Sequence, residues 1–193
     1  MESQTTAKSV QDYPRALVLA STTDAAADDL CVDLLSRERP ECQRVLSLSY
    51  ARQPMRLVDH WQAAHDSSPA SMAIVCPESH ATREPPAGVH TTHVPASDLT
   101  GASIAISRYL DRWDDGESVT VCLNSLTALL QYADRDRVFR FVHTITSRCL
   151  AVGATVHAHF DPATQDEQTV ATVATLFDTV VRREDDESWV VQQ

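Results

Sequence analysis

The chain has 193 residues, 43% of them hydrophobic, and a formal net charge of −11. That length suits one compact domain with a substantial core, and the hydrophobic share excludes a wholly disordered chain. The acidity disfavours nonspecific association with nucleic acid or an anionic membrane, and no apolar run approaches the ~20 residues that cross a bilayer.

Residues 1–13 read as a flexible leader, polar and without the apolar centre of a secretion signal, which points to a cytoplasmic protein. From residue 14 to 193 a single domain is expected. Arg15–Ala20 is a short apolar run, the signature of a buried strand. Ala25–Ser36 follows as a helix with Leu30, Leu34 and Leu35 at helical spacing, capped by Thr23 or Asp24. Arg44–Ser49 is a second strand, Met55–Asp66 a helix carrying Leu57, Val58 and Trp61, and Ser71–Cys76 a third strand stopped by Pro77. The Pro-, His- and Thr-rich stretch Glu78–Pro95 reads as a long loop with a short edge strand around Val89–Val94.

Asp98–Trp113 is an amphipathic helix whose Leu99, Ala102, Ile106, Tyr109, Leu110 and Trp113 share a face, ended by Asp114-Asp115-Gly116. Ser118–Leu123 is a fourth strand, and Leu126–Tyr132 a short helix. A longer helix is capped by Asp134 and stopped at Gly153. Ala154–Phe160 is a fifth strand. Thr164 and Glu167 form a capping box for a helix through Phe177. Asp178–Arg182 and Ser188–Val191 close the chain as a hairpin turning at Glu184–Glu187. Strands alternating with helices in this way predict a three-layer α/β/α domain with a mainly parallel sheet and a C-terminal β-hairpin. Ligands of such sheets bind at the carboxyl ends of the strands. The expected crevice therefore comprises Ser21–Asp24, Ser49–Tyr50, Cys76–His80, Asn124–Ser125 and Asp161–Pro162.

The charged residues are unusual in kind. Lys8 is the only lysine among 16 basic residues, and Asp outnumbers Glu by 18 to 9. Concentrated salt screens such self-repulsion within ~3 Å at 1 M. The pattern looks like that of an extreme halophile. Five cysteines, Cys31, Cys42, Cys76, Cys122 and Cys149, form no C-x-x-C pair and read as reduced thiols, three of them in apolar patterns, with no zinc cluster expected.

A phosphate-binding loop needs glycines, so that backbone N–H groups can wrap the anion, and a lysine to reach the terminal phosphates. The first strand-to-helix turn has neither. Ser21, Thr22 and Thr23 leave hydroxyls there, while Asp24, Asp28 and Asp29 repel a triphosphate. This turn reads either as a degenerate phosphate site or as a capped helix N-terminus with Asp complementing the macrodipole. Asn124, at the end of the fourth strand, stands where a magnesium-binding carboxylate would serve a nucleotide hydrolase, and with Ser125 it completes the candidate cofactor site. The alternative for Asn124 is a cap on the next helix. No catalytic residue is assigned: Ser125 lacks a G-x-S-x-G elbow. His157, His159 and Asp161 alternate along one strand and are the candidate metal ligands, for zinc or another divalent ion; the competing reading is two hydrogen-bonded histidines beneath a helix. Arg135, Arg137 and Arg140, among Asp134 and Asp136, form a salt-bridged helix face or an anion site.

The order of strands and helices, with Val119–Leu123 followed by Asn124-Ser125-Leu126-Thr127-Ala128-Leu129-Leu130 and then Thr155–Phe160, resembles the RecA/KaiC-type ATPase core. More narrowly, Ala27–Leu35, Asp98–Gly101, Ser125–Tyr132 and Asp166–Thr172 resemble an uncharacterised haloarchaeal family related to that core. The likeness runs from Arg15 to Val191. It implies the fold and permits a homo-oligomer. The departures bear on activity: no glycine-lysine loop in Ser21–Ala27, no catalytic glutamate in Ser47–Tyr50, and Asn124 in place of the metal-binding aspartate. The expectation is a non-catalytic regulatory or signalling module that binds an unidentified protein partner. The competing reading is an ATP- or GTP-binding sensor or ATPase with an atypical phosphate site.

Overall fold

The computed structural model describes residues 2–80, 84–113 and 116–192. Seven strands run parallel: β1 (Arg15–Leu19), β2 (Gln43–Ser49), β3 (Ser71–Pro77), β4 (Val89–Val94), β5 (Ser118–Asn124), β6 (Thr155–Phe160) and β7 (Thr179–Arg183). An eighth, β8 (Trp189–Gln192), returns antiparallel to β7, and the sheet order is β4-β3-β2-β5-β6-β1-β7-β8. The central strands are apolar on both faces because helices cover both.

On one face lie α1 (Glu2–Ser9), α2 (Ala25–Leu35) and α3 (Pro54–Ala64). The other carries α4 (Leu99–Arg112), the single turn α5 (Leu126–Leu129), α6 (Arg135–Ala151) and α7 (Glu167–Ala174). Alternation along each strand divides the core. Leu46, Leu48, Ala73, Val75, Val156, Ala158 and Phe160 pack under α4, α6 and α7. Val45, Met72, Ile74 and Cys122 pack under α2 and α3. A third cluster joins Ala7 and Val10 to Leu30, Leu34 and Val181. Helices leaving β1 and β2 take one face and those leaving β5 and β6 the other. The connections therefore diverge between β2 and β5 and between β6 and β1, opening a crevice at the carboxyl ends.

Most expected elements are present, with their ends shifted by up to three residues; α7 stops at Ala174 and not Phe177. Asp24, Asp98 and Asp134 cap α2, α4 and α6 by accepting N–H bonds from Ala26, Gly101 and Arg137. Gly153, at φ +72, takes the left-handed turn that stops α6. Three expectations change. The leader over 1–13 contains α1, which lays Ala7 and Val10 against α2 and β8 and is not a free tail. Leu126–Tyr132 is helical only over Leu126–Leu129. Asp166, not Thr164, caps α7, because Pro162–Thr164 forms a separate 3-10 turn and Thr164 Oγ1 donates to Asp161 O. Asp114 and Asp115, expected to end α4, lie outside the described residues, as do 81–83 of the Glu78–Pro95 loop. No described helix is long and apolar enough to cross a membrane.

Candidate functional site

The strand-end crevice is built from the connections after β1, β2, β5 and β6; Cys76–His80, after β3, does not line it. After β1, Ser21 and Thr23 hydroxyls lie 3.1 Å apart, and Ser21 Oγ accepts the Thr23 N–H. The Thr22 N–H, where a phosphate-binding turn would present a donor to its anion, points at a carboxylate of the chain itself: it donates to Asp161 Oδ2 at 3.1 Å. The other oxygen of Asp161 accepts from Ala163 N–H at 3.0 Å. The Asp161 N–H donates to Thr127 Oγ1 at 2.8 Å, tying the end of β6 to α5. Asp161 is thus a staple between β6 and the first turn.

A second carboxylate fills the neighbouring part. Asp28, buried on α2, accepts from Arg56 Nη2 at 2.8 Å and Nε at 3.2 Å and pairs with Arg52 at 3.4 Å. Ser49 Oγ donates to Arg52 O and fixes that loop. Asn124 lines the space beside each carboxylate, and its main-chain carbonyl accepts from Tyr50 and Ala51 N–H; the Asn124–Ser125 peptide is cis. Ser125 Oγ caps α5 by accepting from Ala128 N–H at 3.2 Å. The free volume is about 20 Å³ beside Ser21, Thr22, Asn124, Ser125 and Asp161. A further 30 Å³ lies beside Asp28, Cys31, Ser47 and Asn124. Such spaces hold a water or two, where small-molecule sites run to about 300–1,000 Å³. Wider hollows lie on the helix faces: about 360 Å³ around α1, α2 and α3, and about 260 Å³ between α4 and α6.

Asp161→Ala removes the acceptor of two N–H groups near the end of a buried strand. It is expected to cost about 1–3 kcal/mol, read as a lower urea midpoint in molar KCl with the slope unchanged.

Of the three residues proposed to hold a metal, His157 and His159 come together and Asp161 does not join them. The two rings project from β6 toward α2, with centroids 5.3 Å apart. There they meet Cys31 of α2, whose Sγ lies 3.4 Å from His157 Nε2 and 3.3 Å from Cys122 Sγ of β5. Cys122 and His157 are register partners on adjacent strands. The Cys31 thiol is held well below the usual thiol range, chiefly by its hydrogen bond with Cys122 and also by His157 and His159. Burial pushes Cys122 well above that range, and the bond with Cys31 adds to the shift. Burial likewise lowers His157. Pairing residues 31 and 122 requires knowing that α2 lies across β5 and β6, which no local spacing reveals.

Arg135, Arg137 and Arg140 are engaged with Asp166 and Thr169, Ser97 O and Asp136 O respectively. Cys42 is exposed and the other four cysteines are buried. Burial raises Cys76 to about 11 and Cys149 to about 12, so both stay protonated near neutrality. Brief iodoacetamide treatment at pH 8 is expected to label Cys42 alone in the folded protein and all five cysteines in denaturant, read by peptide mass spectrometry.

Residues 15–183 match the family of unknown function DUF7504. The chain belongs to that family. No curated protein matches it. Among solved structures, a DUF7504 chain of this kind resembles the uncharacterized protein PH0321 from Pyrococcus horikoshii in complex with an unknown peptide. The TM-score is 0.58 at 13% identity, over 92% of this chain and 80% of that one. It also resembles PH0250 from Pyrococcus horikoshii OT3, with a TM-score of 0.62 at 8% identity, over 100% of this chain and 92% of that one. At such identities the likeness is one of fold.

Proposed function

We propose that this DUF7504 protein is a non-catalytic regulatory or signalling module, built on a RecA/KaiC-like core, that acts by binding another protein in a salt-rich cytoplasm. The observation that carries this reading is the Asp161 carboxylate on the Thr22 N–H at 3.1 Å: an internal anion occupies the place a phosphate would take. Asp28 adds a second negative group in the same crevice. The lysine, glutamate and aspartate that stabilise phosphoryl transfer in RecA/KaiC-type ATPases are missing from the matching positions, which removes the electrostatic basis of hydrolysis.

Binding then falls to the helix faces. The hollow between α4 and α6 is lined by Arg137 and Arg140 with Thr100, Ser103 and Thr144, over the buried Leu99 and Phe141, and so sets two cations on an acidic chain. That lining suits an acidic segment of a partner. PH0321, of similar fold, was solved with a peptide, so a chain of this architecture can hold one. The scarcity of lysine and the excess of aspartate support a halophilic setting.

The test is cross-linking mass spectrometry of the intact protein in its native extract at molar KCl. Cross-links from a partner to residues 99–103 and 137–144, lost on Arg137→Glu/Arg140→Glu, are expected. Failure to capture any partner there under several growth conditions, with folded protein, would overturn the reading.

A further inference from the structure

We propose that Cys31, Cys122, His157 and His159 form a buried site for one thiophilic divalent cation, zinc by its chemistry. The four candidate ligand atoms, two sulfurs and two imidazole nitrogens, all lie within 4.8 Å of one another, and all four residues are buried. Tetrahedral zinc, with Zn–S of about 2.3 Å and Zn–N of about 2.0 Å, sets sulfurs about 3.8 Å apart and sulfur and nitrogen about 3.5 Å apart. The observed 3.3 Å between sulfurs and 3.4 Å from Cys31 Sγ to His157 Nε2 reach that shape through shifts of a few tenths of an ångström.

His159 supplies the independent observation. It is 92% buried, being only 8% exposed. Its Nε2 is fully shielded and has no hydrogen-bond partner among the described residues. An unpartnered buried imidazole nitrogen costs about 1–3 kcal/mol, whereas a cation among the four ligands would give it a bond. Charge also balances: the cation displaces the two thiol protons, leaving two thiolates against a dication, so no net charge is buried. Cysteine sulfur with imidazole nitrogen selects zinc over the hard cations magnesium and calcium, which prefer oxygen.

The location gives the site a structural consequence. Cys31 lies on α2 one turn below Asp28, Cys122 on β5, and both histidines on β6, so a bound cation would clamp α2 to the sheet under the crevice. The 30 Å³ space beside Asp28, Cys31, Cys122 and Asn124 leads from the crevice to the sulfurs. This assignment is independent of the protein-binding reading, and it replaces the triad of His157, His159 and Asp161 with a set drawn from three elements.

The experiment uses full-length protein purified without a His tag, in reductant and molar KCl, with zinc quantified by elemental analysis and cobalt(II) titrated into metal-free protein. Expected are about one equivalent of tightly held metal, a near-ultraviolet thiolate-to-cobalt charge-transfer band and a melting temperature lowered by chelation. The Cys31→Ala/Cys122→Ala protein should lose the band, and His159→Ala should bind with a loss exceeding the roughly 100-fold typical of outer-shell changes. Cys149→Ala, another buried thiol, should match wild type, and circular dichroism confirms that each variant is folded. Folded, reduced wild type that takes up neither zinc nor cobalt would overturn the proposal. So would equal uptake by the double variant, or a Cys31–Cys122 disulfide trapped from freshly lysed cells in metal-free protein.

Discussion

Trp61→Ala is expected to destabilise the fold by about 3–5 kcal/mol, a fall in melting temperature of roughly 10 °C for a chain of this size. Trp61 is 1% exposed and anchors α3 to the sheet among Val58, Met72, Ile74 and Leu35. Its ring stacks on His65 at 4.3 Å between centroids, and its Nε1 donates to Ser67 O at 3.1 Å. Alanine leaves a void that the rigid strands of a parallel sheet cannot close. Trp61→Phe keeps much of the packing and should cost about half as much. Urea denaturation in molar KCl measures both. A Trp61→Ala protein within about 1 kcal/mol of wild type would mean that α3 contributes little to the core.

The second large effect is expected at Gln43, which is fully buried at the start of β2. Its Oε1 accepts from both Arg37 and Glu38 N–H at 2.9 Å, and its Nε2 donates to Thr120 Oγ1 at 3.0 Å. Thr120 Oγ1 in turn donates to Leu35 O at 3.1 Å. One amide thus ties the turn after α2, the first residue of β2 and the middle of β5 into a chain that ends on the last turn of α2. Gln43→Ala leaves two N–H groups without their acceptor, at about 1–3 kcal/mol each before any water enters, and takes one donor from the Thr120 hydroxyl, which keeps its bond to Leu35 O. A net loss of about 3 kcal/mol is expected. Hydrogen exchange gives a local reading: the Arg37 and Glu38 amides should lose protection first, and α2 should loosen with them. Unchanged protection at both amides would contradict this account of the contact.

These two residues also show what was readable before the structure. Trp61 stood out because it shares a helical face with Leu57 and Val58. The buried strands were legible as apolar runs, and their alternation with helices specified a parallel sheet. The Asp134 cap of α6, and a cap at Thr23 or Asp24 for α2, followed from short-range chemistry alone. Gln43 was not legible, because its three partners lie 5, 6 and 77 residues away and only the pairing of β2 with β5 brings the last of them near. The same physics hid α1: its sequence is polar, and it is held by the small side chain of Ala7, with Val10 just beyond it, against α2 and β8. At the site, the alternation of His157 and His159 marked one face of β6, but the period-two pattern wrongly carried Asp161 with them. The chain turns after Phe160, so Asp161 leaves the strand and faces the first loop. Cys31, 91 residues from Cys122, became a neighbour of the histidines only through the placement of α2.

The function proposed above rests on a strand-end crevice filled by the protein's own carboxylates, Asp161 and Asp28. Isothermal titration of ATP, and separately GTP, with magnesium into the folded protein in molar KCl tests it most directly. The account predicts no binding heat. Micromolar binding that disappears on Thr22→Ala or Asn124→Ala would contradict it.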